Sequence, residues 1–187
     1  MSVFKKSFLL LISLIFFQCA KEQPYLIEKE RVGLLDGQTT IDELSSLFVN
    51  DSIVSSTFNE NGNNEGLSTV NNEYLIYSKK GEKLLEITPT TLNDSLSGIK
   101  SIQIFHGQYK TESGISLQST FKDINENYLV NKVETTLTSA MLYIDELNAT
   151  IAIDKKDLGI EMFSREEISV NQIPDLAKVK YFTIWFN

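Results

Sequence analysis

Hydrophobic positions along this chain follow two periods, one typical of helices and the other of strands. Apolar residues recur three or four positions apart over residues 41–48 and again over residues 121–128, which predicts two short amphipathic helices. A threonine with an acid three positions later stands at the start of each stretch, as Thr40-x-x-Glu43 and Thr120-x-x-Asp123. This pattern is a capping box, in which side chain and backbone satisfy each other's hydrogen bonds at a helix start.

Alternating apolar and polar residues predict antiparallel strands after each helix. Residues 74–79 and 82–87 flank Lys80-Gly81 as a hairpin, and residues 141–145 and 149–153 form a second one. Closing strands are expected at residues 99–105 and 179–185, and weaker strands near 53–58 and 130–137. In the last strand Phe182, Ile184 and Phe186 alternate with Tyr181, Thr183 and Trp185, so two faces of different character are expected.

The two sets of elements correspond at an offset of 80 residues, which takes Thr40 to Thr120 and Phe48 to Tyr128. The closing strands follow the same offset, whereas the hairpins correspond at 67 because the connecting loops differ in length. The pattern predicts two tandem repeats, residues 31–110 and 111–187, each with one helix and about four strands. The expected fold class is α+β, with the helices packed on one face of an antiparallel sheet.

This order resembles the tandem α+β units of the β-lactamase inhibitor protein and of the outer-membrane assembly lipoprotein BamE. Those families begin the unit with Gly-x-Thr, and Gly37-Gln38-Thr39 precedes the first helix here, with Ser119-Thr120 before the second. Their helices end in Leu-Gly, where this chain has Phe48-Val49 and Tyr128-Leu129. Their units also tend to have two helices rather than one.

The N-terminal residues are typical of a targeting signal. Lys5 and Lys6 precede an apolar run over residues 8–17, which is too short for a span of about 20 residues. The run leads to Cys19 and resembles the lipobox of bacterial lipoproteins, although Phe16 and Gln18 stand where Leu and Gly or Ala are usual. The resemblance implies a signal peptide over residues 1–18 and a lipidated tether over 19–30. A buried cysteine in an uncleaved anchor helix is the alternative.

Lipidation at Cys19 would attach the chain to a membrane through diacylglyceryl and further acyl groups such as palmitate. Ala20 follows the cysteine, so the aspartate of inner-membrane retention is missing, and the resemblance implies the bacterial outer membrane. The sequence leaves open whether the protein faces the periplasm or the cell surface.

The amino-acid composition excludes several classes of partner and of catalytic or metal site. The chain has 187 residues, 17 basic and 25 acidic, with a formal charge of −8, which argues against nucleic acid as a partner. One cysteine and one histidine exclude disulfide scaffolds, Cys/His zinc sites and most nucleophile–histidine machinery. We therefore expect neither catalysis nor a cofactor, and the lone His106 is expected at the surface beside Gly107.

Several segments are candidates for binding or modification. The linking segment 154–178 is charged yet contains Leu158, Ile160, Met162 and Phe163, which suggests a partner-binding loop. The same residues would equally serve to cover the edge of the sheet. Ser52 and Ser95 follow aspartates in a pattern similar to an envelope O-glycosylation motif. The Asn-rich stretch 59–66 is expected to be a polar loop rather than a calcium site.

The sequence thus predicts a non-catalytic envelope lipoprotein that binds another envelope protein. The alternative is a small-ligand binder with a pocket between the helices and the sheet.

Overall fold

The computed structural model describes residues 23–57, 72–161, 163–164 and 166–186. Its strands are β1 (Leu26–Glu28), β2 (Arg31–Val32), β3 (Leu35–Asp36), β4 (Ser52–Thr57), β5 (Asn72–Tyr77), β6 (Lys83–Pro89), β7 (Ile99–Ile104), β8 (Lys110–Thr111), β9 (Lys132–Thr135), β10 (Ser139–Ile144), β11 (Ala149–Asp154) and β12 (Val179–Trp185). The α-helices are α1 (Leu44–Leu47) and α2 (Phe121–Asn127), and short 3₁₀ turns cover Ile41–Glu43, Asp145–Leu147, Lys155–Leu158 and Val170–Gln172.

The large sheet has eight antiparallel strands in the order β4-β5-β6-β7-β12-β11-β10-β9. Across the sheet, the strands of the second half therefore follow in the reverse order of their counterparts in the first half. The two halves meet where β7 pairs with β12. The strands predicted from alternation are confirmed, including the weaker ones that became β4 and β9.

Backbone contacts at the helix starts match between the halves at the offset of 80 residues. Thr40 bridges to Gly98 in the first half and Thr120 to Lys178 in the second. The capping interactions also match, since the Thr40 amide donates to Glu43 (2.8 Å) and the Thr120 amide to Asp123 (2.7 Å). The division of the chain at residue 110 falls within β8 and stays a prediction.

The expected α+β fold class is wrong, because the protein is mostly β. The α-helices have four and seven residues, and they contribute only a few side chains to the core. Helices this short present too little apolar surface to cover a sheet of eight strands. The rest of that face is covered by Ile27, Val32 and Leu35 of a second, small sheet, in the order β3-β2-β1-β8, and by loop residues such as Ile168 and Ile173.

The small sheet begins inside the segment that we expected to act as a tether. β1 pairs with β2 in antiparallel fashion and with β8 in parallel fashion, and Ile27 is buried in the core. Gly33 permits this arrangement, because its φ is +60° and a Cβ there would lie 2.2 Å from the Pro24 carbonyl oxygen. Pro24 is therefore already part of the packed structure.

A buried lysine holds the long β11–β12 connection against the sheet. Lys155 has no exposed surface, and its Nζ donates to the carbonyl of Ser164 at 2.5 Å. Its backbone amide donates to Thr138 at 3.0 Å, in the turn before β10. A buried ammonium needs such partners because burial removes its water.

We expect Lys155→Ala to lower the free energy of unfolding by about 2–4 kcal/mol, since it removes a buried side chain and a charged hydrogen bond. Urea denaturation measures this loss. The exposed neighbour in Lys156→Ala is the matched control, with an expected change within about 0.5 kcal/mol. Equal losses in the two variants would contradict the assigned role of Lys155.

Candidate functional site

The sheet has one face packed into the core and one that looks outward. In β12, Phe182 and Ile184 are fully buried, whereas Tyr181 and Trp185 on the opposite side are 39% and 38% exposed. Thr183 lies between them and pairs with Gln103 of β7 and with Thr150 of β11. We call the side that carries Tyr181, Thr183 and Trp185 the outer face. It places two accessible aromatic rings on a central strand.

Trp185 is held in place by the neighbouring strand β11 and by the turn that precedes it. Its indole Nε1 donates to Thr150 Oγ1 at 3.1 Å, and Thr150 itself is buried. Its backbone amide and carbonyl bond to Asn148, at 2.8 and 2.9 Å, and Asn148 adopts a left-handed conformation with φ of +49° in the β10–β11 turn. The ring is therefore fixed before any partner arrives, which reduces the entropy lost on binding.

A cleft of about 350 Å³ opens beside this ring. It is lined by Lys100, Tyr143, Ile144, Asp145, Asn148, Ala149, Thr150, Trp185 and Phe186. The lining combines an aromatic surface with a cation, a carboxylate and an amide. Such a set suits stacking together with hydrogen bonding.

Charged groups on the outer face occur mostly in pairs. Tyr143 Oη donates to Glu134 Oε2 at 2.5 Å, and Lys132 bonds the same carboxylate. These bonds, first that of Lys132, lower the pKa of Glu134, and the bond to Glu134 raises the pKa of Tyr143. At the start of β12, Lys180 lies 2.9 Å from Asp154, which raises the pKa of Lys180. Each carboxylate is thus kept ionised by a neighbour.

The first half of the outer face has a similar cluster. Lys83 Nζ lies 2.6 Å from Glu86 and 3.7 Å from the centre of the Phe105 ring. The pKa of Glu73, on the next strand, is raised by burial and then by the charge of Glu86. Lys83 and Glu86 therefore form an ion pair, and the carboxyl group of Glu73 lies near it. Within the described residues, no group of three or more His, Cys, Asp or Glu is placed to hold a metal.

The predicted binding loop divides between core and surface. Leu158 and Ile160 pack against the core, whereas Phe163 is 66% exposed, and Met162 lies outside the described residues. Phe163 has a φ of +69°, a strained conformation for a bulky residue, and its amide bonds to the Leu137 carbonyl at 2.9 Å. The loop therefore packs part of its apolar residues against the core and exposes one ring.

The other predicted positions lie apart from the outer-face aromatic residues. Ser52 and Ser95 are both exposed, at the start of β4 and in the β6–β7 loop. His106 follows β7, with Nε2 3.9 Å from Glu82 and Nδ1 accepting from the Gln108 amide. Cys19 and the stretch 59–66 lie outside the described residues.

The outer-face residues were missed as candidates although their pattern was visible. Alternation in β12 separates Tyr181, Thr183 and Trp185 from the buried side, but it does not say which side another element covers. Tyr143 and Lys100 come from distant parts of the chain, and only the strand order brings them to Trp185.

The fold is shared with another protein. It is similar to the crystal structure of the uncharacterized protein yfeY from Escherichia coli, with a TM-score of 0.57 and 12% sequence identity over 87% of this chain and 99% of that chain. At this identity the likeness shows the fold alone. No protein-family model and no curated protein matches the chain. Each helix in the described part of the chain is too short or too polar to cross a membrane.

We expect Thr150→Val to lower the free energy of unfolding by about 1 kcal/mol, because it removes the acceptor of the Trp185 indole without changing side-chain volume much. Trp185 is the one tryptophan of the sequence, so its fluorescence follows both unfolding and its own environment. Thr183→Val on the same face is the control, with a change under about 0.5 kcal/mol. An unchanged stability and emission in Thr150→Val would contradict the fixed position of the ring.

Proposed function

We propose that this chain is a non-catalytic, lipid-anchored protein of the bacterial envelope that binds another envelope protein through the outer face of its large sheet. The anchor rests on Cys19 directly after an apolar run that follows two lysines. The observation that supports the binding role is the pair of accessible rings, Tyr181 and Trp185. Both rings lie on a central strand, and the described residues leave them exposed on the outer face.

The dimensions of the outer face fit a protein partner. Eight strands spaced about 4.8 Å apart make a surface roughly 34 Å wide. Seven of these strands have six or seven residues and make it about 20 Å long, and only β9 is shorter, with four. The resulting area of roughly 700 Å² is close to the 800 Å² or so that each partner contributes to a standard interface. Tyrosine and tryptophan are enriched among residues that dominate binding energy, and charged pairs flank them here, as at an interface rim.

A small ligand is the second candidate, favoured by the cleft beside Trp185. Its volume of about 350 Å³ lies at the lower end of the range for small-molecule sites. This cleft lies at the ends of the strands beside Trp185, and not between the helices and the sheet as we expected. Between the helices and the sheet, Ile41, Leu44 and Ile124 pack into the same core as the strands.

The anchor predicts that labelled palmitate enters the wild-type protein when it is expressed with its own signal in a Gram-negative host. Cys19→Ser removes the thiol that is acylated, so label and membrane retention should both be lost. Gel autoradiography after membrane fractionation measures this result. Equal labelling of the two proteins, or a wild-type N-terminal peptide that still carries Met1, would contradict the anchor.

The binding surface predicts a crosslink at Tyr181. With p-benzoylphenylalanine in place of Tyr181, ultraviolet light should join the lipidated protein to one discrete envelope protein in intact cells. The same residue in place of Leu129 is the control, because Leu129 is 66% exposed but lies in the link between α2 and β9, outside the strands that form the outer face.

Trp185→Ser should weaken the Tyr181 crosslink, since the Trp185 ring lies two outer-face positions further along β12 and contributes to the same surface. A crosslink of equal strength from Leu129 would overturn the assignment to the outer face. Absence of any protein crosslink, together with a shift of Trp185 emission on addition of an envelope small-molecule extract, would favour the small-ligand alternative.

A further inference from the structure

The length of chain between Cys19 and the folded part limits how the protein sits on its membrane. Three residues separate Cys19 from Gln23, so the Cα atoms of Cys19 and Gln23 lie at most about 14 Å apart at full extension. The amide of Leu26 already donates to the carbonyl of Gln23 at 3.2 Å. A lipid on Cys19 therefore leaves almost no free tether.

The first described residues are fixed to one end of the large sheet. The Tyr25 carbonyl accepts from the Lys110 amide at 2.9 Å, and its ring meets the buried Tyr109 ring edge-on, with centroids 5.5 Å apart. Pro24 is held against Gly33, where a Cβ would clash with its carbonyl. The position where the chain enters the fold is consequently determined by packing.

Three other segments surround this position. A cleft of about 280 Å³ is lined by Pro24 and Tyr25 together with the end of α1, the β5–β6 turn and the segment after β7. Lys79 Nζ in that turn bonds to Asn50 Oδ1 at 2.9 Å, which joins the turn to the α1–β4 link. Val49 in this link is 74% exposed, and Tyr25 is 48% exposed. We call Tyr25, Val49 and the turn residues Lys79 and Lys80 the anchor end.

We infer that the anchor end lies against the lipid bilayer and forms a membrane-contacting surface of this protein. The inference rests on the proposed lipidation of Cys19. A tether of three residues brings Gln23 to the headgroup region, and the anchor end lies beside the point where the chain continues from Gln23 into Pro24 and Tyr25. Its exposed side chains suit that place, because tyrosine is enriched at membrane interfaces and lysines extend their ammonium groups to the headgroups.

The opposite end of the same strands provides a matched control. Leu96 is 71% exposed in the β6–β7 loop, a similar apolar side chain with similar exposure to Val49. β6 has seven residues, so its two ends lie about 20 Å apart. A bilayer against the anchor end leaves Leu96 in water.

The test uses full-length lipidated protein with a single added cysteine, Val49→Cys or Leu96→Cys, purified and inserted in vesicles of phosphatidylethanolamine and phosphatidylglycerol. An environment-sensitive fluorophore on each cysteine is quenched by lipids that carry a spin label near the headgroup. We expect severalfold stronger quenching at position 49 than at position 96. Inserting about ten Gly and Ser residues after Ala20 adds roughly 17 Å of flexible chain and should reduce the difference.

Palmitate incorporation is measured on the same samples, so the two proposals fail in different ways. If palmitate is present and quenching is equal at both positions, or stronger at 96, the inference is overturned and the anchor stands. If the protein carries no palmitate and leaves the membrane unaided, the proposed lipidation is overturned and the inference with it.

Discussion

The pairing of β7 with β12 is the contact on which the rest of the structure depends. Both strands lie at the centre of the large sheet, and their core-side residues Ile102, Ile104, Phe182 and Ile184 are almost completely buried. Each half alone would have four strands with an unpaired edge at this position. A free edge exposes backbone donors and acceptors and one side of the core. Joining the halves pairs these backbone groups and also buries that side of the core.

This central pairing also determines where function is possible. Because side chains alternate along a strand, burial of Phe182 and Ile184 forces Tyr181, Thr183 and Trp185 to the other side. The helices and the small sheet cover only the core side, where the most apolar side chains are. The aromatic residues of β12 are therefore displayed by the same geometry that closes the core, without a dedicated loop.

The proposed lipid and the proposed partner surface are related through the small sheet. β1 connects the tether directly to the core, so a membrane anchor would hold the whole folded part and not a flexible arm. A rigid attachment of this kind gives the outer face a defined direction relative to the bilayer. Such an orientation of the outer face would suit the binding role that we propose.

Local patterns in the sequence were sufficient for most strands, for both helix starts and for the correspondence between the halves. The reason is that strand alternation and capping boxes act over two to four residues and leave a clear signature, as in residues 182–186 and Thr120-x-x-Asp123. The targeting signal is equally local, and it stays a prediction.

Only the tertiary structure decided the fold class and the candidate site. Amphipathic stripes over residues 41–48 and 121–128 suggested helices that cover a sheet, but the area to be covered depends on how many strands join one sheet. That number follows from the β7–β12 contact, which joins residues some 80 positions apart. The same long-range pairing brings Lys100 and Tyr143 to Trp185, and no periodicity within the sequence contains that information.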